Sequence, residues 1–180
     1  MNLKKINTGK VKELSDHIFE AYKNDKMVFV IGNGGSAANA SHFAQDLAKG
    51  TRYSDKQKKF IKALSLTDNL PFISAIGNDH GYENIFSEQL KTFGSKGDLV
   101  IAISGSGNSP NIIKAIEWSN ENGLITIGIT GYDGGKLSKI NSFNLHSELN
   151  DMCTVESIHS VLFHYLIIDL KDRIEKDNSA

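Results

Sequence analysis

Two short segments rich in glycine and serine have the composition of phosphate-binding loops. The first, Asn33-Gly34-Gly35-Ser36, follows the apolar run MVFVIG at residues 27–32. The second, Ser104-Gly105-Ser106-Gly107-Asn108-Ser109, follows the apolar run DLVIAIS at residues 98–104. Glycine lets the backbone turn sharply and approach a ligand closely, and the N–H groups that open a following helix attract anions. Ser36 is also placed to cap the next helix. We therefore expect the two loops to hold an anionic group such as a phosphate.

The same loops differ from two common nucleotide-binding motifs. The chain contains no Gly-Lys-Ser or Gly-Lys-Thr triplet, which a Walker loop requires, and neither loop fits Gly-x-Gly-x-x-Gly well. The alternative is that each loop is only a tight turn between a strand and a helix. Two such loops, each directly after a buried strand, favour binding over that alternative.

The segments around the loops alternate between strand-like and helix-like patterns. Continuous apolar runs predict strands buried on both faces, and apolar residues at spacings of three and four predict amphipathic helices. The predicted strands cover residues 27–32, 61–66, 98–104, 124–130 and 143–147. The predicted helices cover residues 10–25, 36–49, 69–76, 85–93, 110–122 and 153–176. A break is predicted at GNDHG (77–81), and a turn at GYDGGKL (131–137).

This alternation predicts one α/β domain over residues 1–180, with a parallel sheet of five strands covered by helices on both faces. Right-handed crossovers place the loops that follow the strands at one edge of such a sheet. Ligands of parallel sheets bind at that carboxyl edge. The two glycine-serine loops are therefore expected to converge there.

Four stretches of the sequence resemble the phosphoheptose isomerases, a family of SIS-domain enzymes. These stretches are VIGNGGSAANASHFAQDL, AIGNDHGYENIFSEQL, DLVIAISGSGNSPNIIKAI and GITGYDGGKL, in the family's order and spacing. The resemblance implies a flavodoxin-like three-layer sandwich and the conversion of sedoheptulose 7-phosphate to D-glycero-D-manno-heptose 7-phosphate. It also implies a homotetramer, or at least a dimer, with active sites between subunits.

The resemblance assigns a set of residues to the phosphorylated sugar. Carried over by position, these are Asn33, Gly34, Gly35, Ser36, Asn78, Asp79, Ser104, Gly105, Ser106, Ser109 and Glu156. The family commonly has threonine where Gly105 stands, so one hydroxyl contact is missing from this chain.

A metal site is implied at four further positions. The resemblance places zinc on a His, Glu, Gln, His set, which here reads His42, Asp46, Glu156 and His164. We therefore expect a divalent metal, with zinc the first candidate, on these two carboxylates and two imidazoles. His42 and Asp46 are four residues apart and share a helix face. Glu156 and His164 are eight residues apart on one predicted helix, which separates them by about 12 Å along its axis. They can bind the same ion only if their side chains lean toward each other or if two subunits interleave.

The resemblance assigns the proton transfer to Asp46 as base and His164 as acid, through an enediol. Asp46 is one methylene shorter than the family's usual glutamate, and a shift of about 1 Å can cost on the order of a hundredfold in rate. Glu156 in place of glutamine adds a negative charge. With these two departures, the chain is an active isomerase with altered geometry, an enzyme for a related sugar, or a binding relative.

A non-catalytic role is the alternative to an isomerase. Some SIS-domain proteins bind a phosphosugar or a protein partner, such as the type that associates with the replication initiator DnaA, and a sugar-phosphate-sensing regulatory domain is a third option. Asp46 and His164 are both present in this chain, whereas the DnaA-associating relative lacks their equivalents. Their presence favours the enzyme.

Composition and charge narrow the partners and the compartment. The formal net charge of −1 gives no general reason to expect nucleic-acid binding. One cysteine, Cys153, cannot form an internal disulfide, which favours a reducing compartment. The polar N-terminus lacks the apolar core of a signal peptide, and no apolar run approaches the roughly 18 residues that span a bilayer. We expect a cytoplasmic protein without membrane contact.

Overall fold

The computed structural model describes residues 7–179, in which strands and helices alternate as predicted. The strands are β1 (Met27–Gly32), β2 (Lys62–Ser65), β3 (Leu99–Ser104), β4 (Ile125–Thr130) and β5 (Phe143–His146). The helices are α1 (Thr8–Lys23), α2 (Gly35–Gln45), α3 (Leu70–Asp79), α4 (Ser87–Phe93), α5 (Pro110–Glu121), α6 (Leu137–Ile140) and α7 (Met152–Ser179). A π-helical turn, Asp46–Gly50, extends α2, and a 3-10 turn, Tyr82–Asn84, precedes α4.

The five strands form one parallel sheet in the order β2-β1-β3-β4-β5. Alternate side chains of each strand point to opposite faces, so each face needs its own cover. On one face Val28 and Ile101 pack with α1, α2 and α7, and on the other Phe29 and Val100 pack with α4 and α5. The predicted three-layer α/β fold is therefore confirmed.

The sheet topology brings the two glycine-serine loops together. The chain leaves β1 for β2 on one side, and β3 lies on the other side of β1, with Gly32 paired to Ile103. In sheets of this kind the ligand crevice forms where the strand order reverses, at the carboxyl ends of the strands. Both loops follow the strands that flank this point.

Two local predictions were wrong. Ser36 does not cap α2, because the N-cap position is taken by Gly34, whose φ of 55° and ψ of −125° start the helix one residue earlier. The chain also does not break at residue 77, because α3 continues to Asp79 while its Ile73 and Ile76 pack against the core. The break falls at Gly81, which has a φ of 90°.

Helix α7 is the one described helix long and apolar enough to cross a bilayer by length and composition, contrary to the sequence expectation. Core helices of folded domains pass the same test. Its Leu162, Leu166 and Leu170 are buried against the sheet, as expected for a core helix.

Candidate active site

A cavity of about 170 Å³ lies where the two loops meet at the carboxyl edge of the sheet. It is lined by Asn33, Ser36, Ile103, Ser104, Gly105, Ser106, Ser109, Met152 and Glu156. We call it the loop pocket. Seven of these residues belong to the two predicted glycine-serine segments or to the strand before one of them, so the structure brings the two loops together as the topology requires.

The hydroxyl groups of the second loop are arranged by the turn itself. Ser104 Oγ accepts a hydrogen bond from the backbone N–H of Gly107 at 3.1 Å, and Ser106 Oγ accepts one from Asn108 at 3.3 Å. Each hydroxyl thus keeps its own proton to donate elsewhere. Ser109 is the N-cap residue of α5, and its side chain makes no capping hydrogen bond within the described chain. Three hydroxyl donors therefore remain for an anion in the loop pocket.

Asn33 is held in place by two residues that sequence analysis did not single out. Its Oδ1 accepts hydrogen bonds from Tyr82 Oη at 3.1 Å and from Asn111 Nδ2 at 2.9 Å, and its Nδ2 donates to Asn111 Oδ1 at 2.8 Å. Asn111 is buried, directly after Pro110 at the start of α5. The position of Asn111, in the first helical turn after the second glycine-serine loop, was the one sequence signal for its role.

A second, larger cavity lies beside the loop pocket. Its volume is about 650 Å³, and Asn33 and Ser109 line both cavities. Tyr82, Lys114 and Glu83 form its other walls, and Lys114 Nζ lies 3.5 Å from Glu83 Oε1. Asn33 and Ser109 therefore form a shared wall, and the larger cavity has room for more than an inorganic anion.

Glu156 lies at the loop pocket. A Cβ on Gly35 would overlap the Glu156 carboxylate, so the absence of a side chain at residue 35 is what admits this group. Asn39 Nδ2 donates to the backbone carbonyl of Glu156 at 3.1 Å and ties α2 to α7. The structure thus places a carboxylate beside the start of α2.

A second cluster of ionisable side chains lies further along the contact between α2 and α7. His42 Nε2 is 3.3 Å from Asp46 Oδ2, and His164 Nε2 is 3.8 Å from the same oxygen. The three ligand atoms lie within 4.8 Å of one another. The stacked rings of Phe43 and Phe163, 4.2 Å between centroids, hold the two helices together beside this cluster.

Three of the four predicted metal ligands are therefore brought together, and Glu156 is not among them. The reason is the helical rise that separates it from His164, about 12 Å over eight residues, because α7 is continuous through both positions. Glu156 faces the loop pocket, where the prediction had also placed it as a substrate contact.

Asp46 occupies a backbone position that sequence patterns do not reveal. It is the first residue of the π-helical turn that extends α2, and Thr51 Oγ1 closes this turn with a hydrogen bond to the carbonyl of Leu47 at 2.7 Å. Single π-turns inside α-helices occur often at functional sites. The Asp46 side chain is 20% exposed, whereas the His42 and His164 side chains are about half exposed.

Four predicted substrate contacts line neither cavity: Gly34, Gly35, Asn78 and Asp79. Gly34 and Gly35 start α2, and Gly35 lies against Glu156 at the edge of the loop pocket, whereas Asn78 and Asp79 lie on α3. Both are exposed in the last turn of α3, where Asn78 Nδ2 donates to Asp79 Oδ1 at 2.7 Å. The continuation of α3 through residue 79 places them on that helix instead of in a loop.

Fold and site together define an α/β protein with a pocket of glycine- and serine-rich loops at the switch point of a parallel sheet, a class that includes the SIS domains. The SIS domain family model matches residues 2–131. The phosphoheptose isomerase of Aliarcobacter butzleri is 40% identical to this chain, over 85% of this chain and 79% of the relative's length. That of Trichlorobacter lovleyi is 39% identical over 88% of this chain and 80% of its own. The chain belongs to the SIS domain family, among the phosphoheptose isomerases.

Solved structures agree with this assignment. The phosphoheptose isomerase GmhA of Neisseria gonorrhoeae superposes with a TM-score of 0.86 at 30% identity, covering 94% of this chain and 89% of that one. The phosphoheptose isomerase of Francisella tularensis gives a TM-score of 0.84 at 26% identity, covering 94% and 87%. The predicted family and the predicted enzyme class are confirmed.

Proposed function

We propose that this protein is an aldose-ketose isomerase that converts sedoheptulose 7-phosphate to D-glycero-D-manno-heptose 7-phosphate. The observation that carries the proposal is the pairing of two separate sites along α2 and α7. One is the loop pocket with its serine hydroxyls, and the other is the cluster of His42, Asp46 and His164.

The spacing of these two sites suits a long substrate. Gly35 and Glu156 meet at the loop pocket, and His42 and His164 meet in the cluster, so α2 and α7 run in the same direction. Seven and eight helical residues separate the two levels, a rise of roughly 10 to 12 Å. A sugar whose phosphate and carbonyl lie at opposite ends of its carbon chain fits that separation.

In this proposal the loop pocket holds the phosphate. Ser104, Ser106 and Ser109 donate their hydroxyl protons to its oxygens, and backbone N–H groups of the loops add to them. Glu156 accepts hydrogen bonds from sugar hydroxyls beside the phosphate, since an ionised carboxylate only accepts. Like charge keeps the phosphate on the serine side of the pocket.

The proton transfer is assigned to the cluster. Asp46 removes the proton from the carbon next to the carbonyl, and His164 donates a proton to the carbonyl oxygen, which gives the enediol. Return of the proton by Asp46 to the neighbouring carbon, with loss of the proton from the other oxygen, gives the aldose. The step is redox-neutral overall because one carbon is oxidised as the other is reduced.

The same cluster has the donors of a divalent metal site. In a tetrahedral zinc site with bonds of 2.0–2.1 Å, neighbouring ligand atoms lie roughly 3.4 Å apart. The separations of 3.3 Å and 3.8 Å from Asp46 to the two imidazoles fit that spacing. We infer that His42, Asp46 and His164 would hold the ion through one atom each, zinc being the first candidate, which leaves the second carboxylate oxygen of Asp46 and the other ring nitrogen of His164 for the proton transfer. A bound divalent ion would supply polarisation of the sugar oxygens.

The proposal includes assembly into a homotetramer, or at least a dimer. Val161, Tyr165 and Ile168 form an apolar stripe on α7, with exposures of 45%, 58% and 63%. The spacing of four and three residues puts them on one helix face. A second copy of this chain would remove that stripe from water.

The test of the proposed function is turnover. Purified protein is incubated with sedoheptulose 7-phosphate, with and without added zinc, and the aldose is followed by NMR. Formation of the heptose 7-phosphate supports the proposal. Binding of the sugar phosphate without conversion under both conditions would favour the non-catalytic alternative.

A further inference from the structure

Gly105 and Met152 meet at the wall of the loop pocket. A Cβ on Gly105 would lie 2.7 Å from Met152 Sδ, closer than real Cβ atoms approach other groups, and 3.1 Å from Met152 Cε, which is a tight contact. The next nearest group, Cε2 of Tyr132, would be 3.9 Å away, an ordinary contact. The Met152 thioether therefore fills the space that a side chain at residue 105 would occupy.

The backbone does not itself require glycine at residue 105. Gly107, two residues on, has a φ of 64°, and a Cβ there would overlap the carbonyl of Gly134. Gly105 is not among the described glycines with positive φ, so its conformation is open to other residues. What excludes a side chain at Gly105 is the thioether beside it.

Met152 is held at this position by the start of α7. Asp151 Oδ1 accepts a hydrogen bond from the backbone N–H of Thr154 at 2.8 Å, and its carbonyl accepts one from Val155 at 2.9 Å. These bonds fix the first turn of the helix that also carries Glu156 into the pocket. Methionine suits the position because its flexible, polarisable side chain fills irregular gaps.

We propose that Met152 is a specificity-determining residue of the loop pocket. Its thioether forms an apolar wall of the loop pocket over Gly105, in place of a side chain at that residue. A bound anion would contact this wall, and the contact would shield from water the hydrogen bonds that the serine hydroxyls donate to it. The inference rests on the proposed function, because it takes the bound group to be a phosphate.

The test is a double-mutant cycle on the full chain, with inorganic phosphate as the probe in calorimetry. Met152→Ala removes the wall, and Gly105→Ala pushes the same thioether out of the pocket. We expect each single variant to weaken phosphate binding roughly threefold to tenfold, the loss of one or two methylene-sized contacts. The double variant should bind no more weakly than the weaker single variant, because both changes act on one group.

Two further variants control this cycle. Ile125→Ala truncates an apolar side chain of similar exposure, 41% against 38%, at the opposite edge of the sheet, and phosphate binding should not change. Met152→Leu keeps the apolar volume and should retain the binding of the parent protein. Thermal melting of each variant separates a misfolded protein from an altered pocket.

The kinetic constants for sedoheptulose 7-phosphate give a second test of the role of Met152. Met152→Ala should raise the KM for sedoheptulose 7-phosphate more than it lowers kcat, because the wall contacts the phosphate end and not the reacting carbons. Multiplicative losses in the double variant, or unchanged phosphate binding in Met152→Ala, would overturn the proposal while leaving the proposed function intact. Failure of the parent protein to bind inorganic phosphate would overturn the inference about Met152, whereas the proposed function is decided separately by turnover of sedoheptulose 7-phosphate.

Discussion

Oδ2 of Asp46 lies 3.8 Å from Nε2 of His164, although Asp46 is in the π-helical turn that extends the second helix, α2, and His164 is in the last helix, α7. The contact exists because α2 and α7 pack on the same face of the sheet, joined by the stacked rings of Phe43 and Phe163. It places a carboxylate next to an imidazole, the pair of groups that an enediol proton transfer requires.

Asp46 should be the residue on which turnover depends most. We expect Asp46→Asn to lower kcat by roughly 10² to 10⁴, the contribution of a positioned general base. Asp46→Glu adds the methylene that this chain lacks relative to its family and should keep or raise kcat. Steady-state kinetics with sedoheptulose 7-phosphate measure both effects. Asp172→Asn, an exposed carboxylate of α7, is the matched control and should be neutral. Wild-type kcat in Asp46→Asn would remove Asp46 from the mechanism.

Metal content should separate Glu156 from the His-Asp-His cluster. His42→Ala removes one of three ligands and should sharply lower the zinc retained after dialysis. Glu156→Gln should leave zinc content unchanged, because the Glu156 carboxylate faces the loop pocket. Elemental analysis of both variants against the parent protein decides the matter. Equal zinc loss in the two variants would mean that Glu156 reaches the ion.

Glu156→Gln should also change the anion affinity of the loop pocket. Removing a negative charge beside the serine hydroxyls lowers the repulsion toward a phosphate, so inorganic phosphate should bind more tightly. Calorimetry with phosphate measures the change, and it should shrink at high salt if its origin is electrostatic. Weaker phosphate binding in Glu156→Gln would show that the carboxylate is needed to build the pocket.

His159 should make the folded protein sensitive to mild acid. The pKa of His159 is lowered from 6.5 to about 4, chiefly by burial and in lesser part by the nearby His146, with the Thr130 backbone opposing the shift. Between pH 6.5 and 4 this histidine is protonated in the unfolded chain but not in the folded protein. The free energy of unfolding therefore has its full value above pH 6.5 and decreases as the pH falls toward 4. The loss amounts to roughly 3 kcal/mol in total.

Replacing His159 by phenylalanine tests this pH dependence. Neither ring nitrogen of His159 has a hydrogen-bond partner of good geometry within the described residues, so His159→Phe removes at most a weak contact with the Thr130 backbone. Urea unfolding of both proteins across pH 6.5 to 4 should show a smaller fall in the free energy of unfolding for the variant. Parallel curves would mean that other groups cause the acid sensitivity.

Assembly should depend on the apolar stripe of α7. Light scattering of the parent protein should give a mass of at least two chains of 19.8 kDa. Ile168→Asp places a charge on the most exposed residue of the stripe and should shift the protein toward the monomer. Lys171→Ala alters an exposed, charged position of the same helix and is the control. A monomeric parent protein would contradict the assembly.

Sequence patterns were sufficient for the fold because its three central strands, β1, β3 and β4, are buried on both faces, although the edge strand β2, also predicted as a buried strand, is largely exposed. Runs such as residues 27–32 and 98–104 admit few other interpretations, and the observed strands begin and end within a residue or two of the predicted ones. The parallel sheet then fixes which loops meet, so the loop pocket followed from topology. The end of α3 was harder to predict from the sequence. Gly77 lies inside the helix, and the packing of α3 against the core decides that the helix continues past it.

The details of the site lay beyond what sequence patterns carry. The separation of Glu156 from the cluster depends on α7 remaining straight through both positions, and the π-helical turn at Asp46 leaves no periodic signature. The hydrogen bonds of Asn33 to Tyr82 and Asn111 join residues distant in sequence, so only the folded chain shows them.

The central claim, that this chain moves a proton between adjacent carbons of a sugar phosphate, is tested most directly by isomerisation in D₂O. Proton return from Asp46 after exchange with solvent places deuterium on the carbon next to the carbonyl, which ¹H NMR detects as a lost signal. We predict heptose 7-phosphate labelled at that carbon with the parent protein, and neither product nor label with Asp46→Asn. Product without any label would contradict exchange at Asp46, and absence of both product and label with the zinc-loaded parent protein would contradict the isomerase itself.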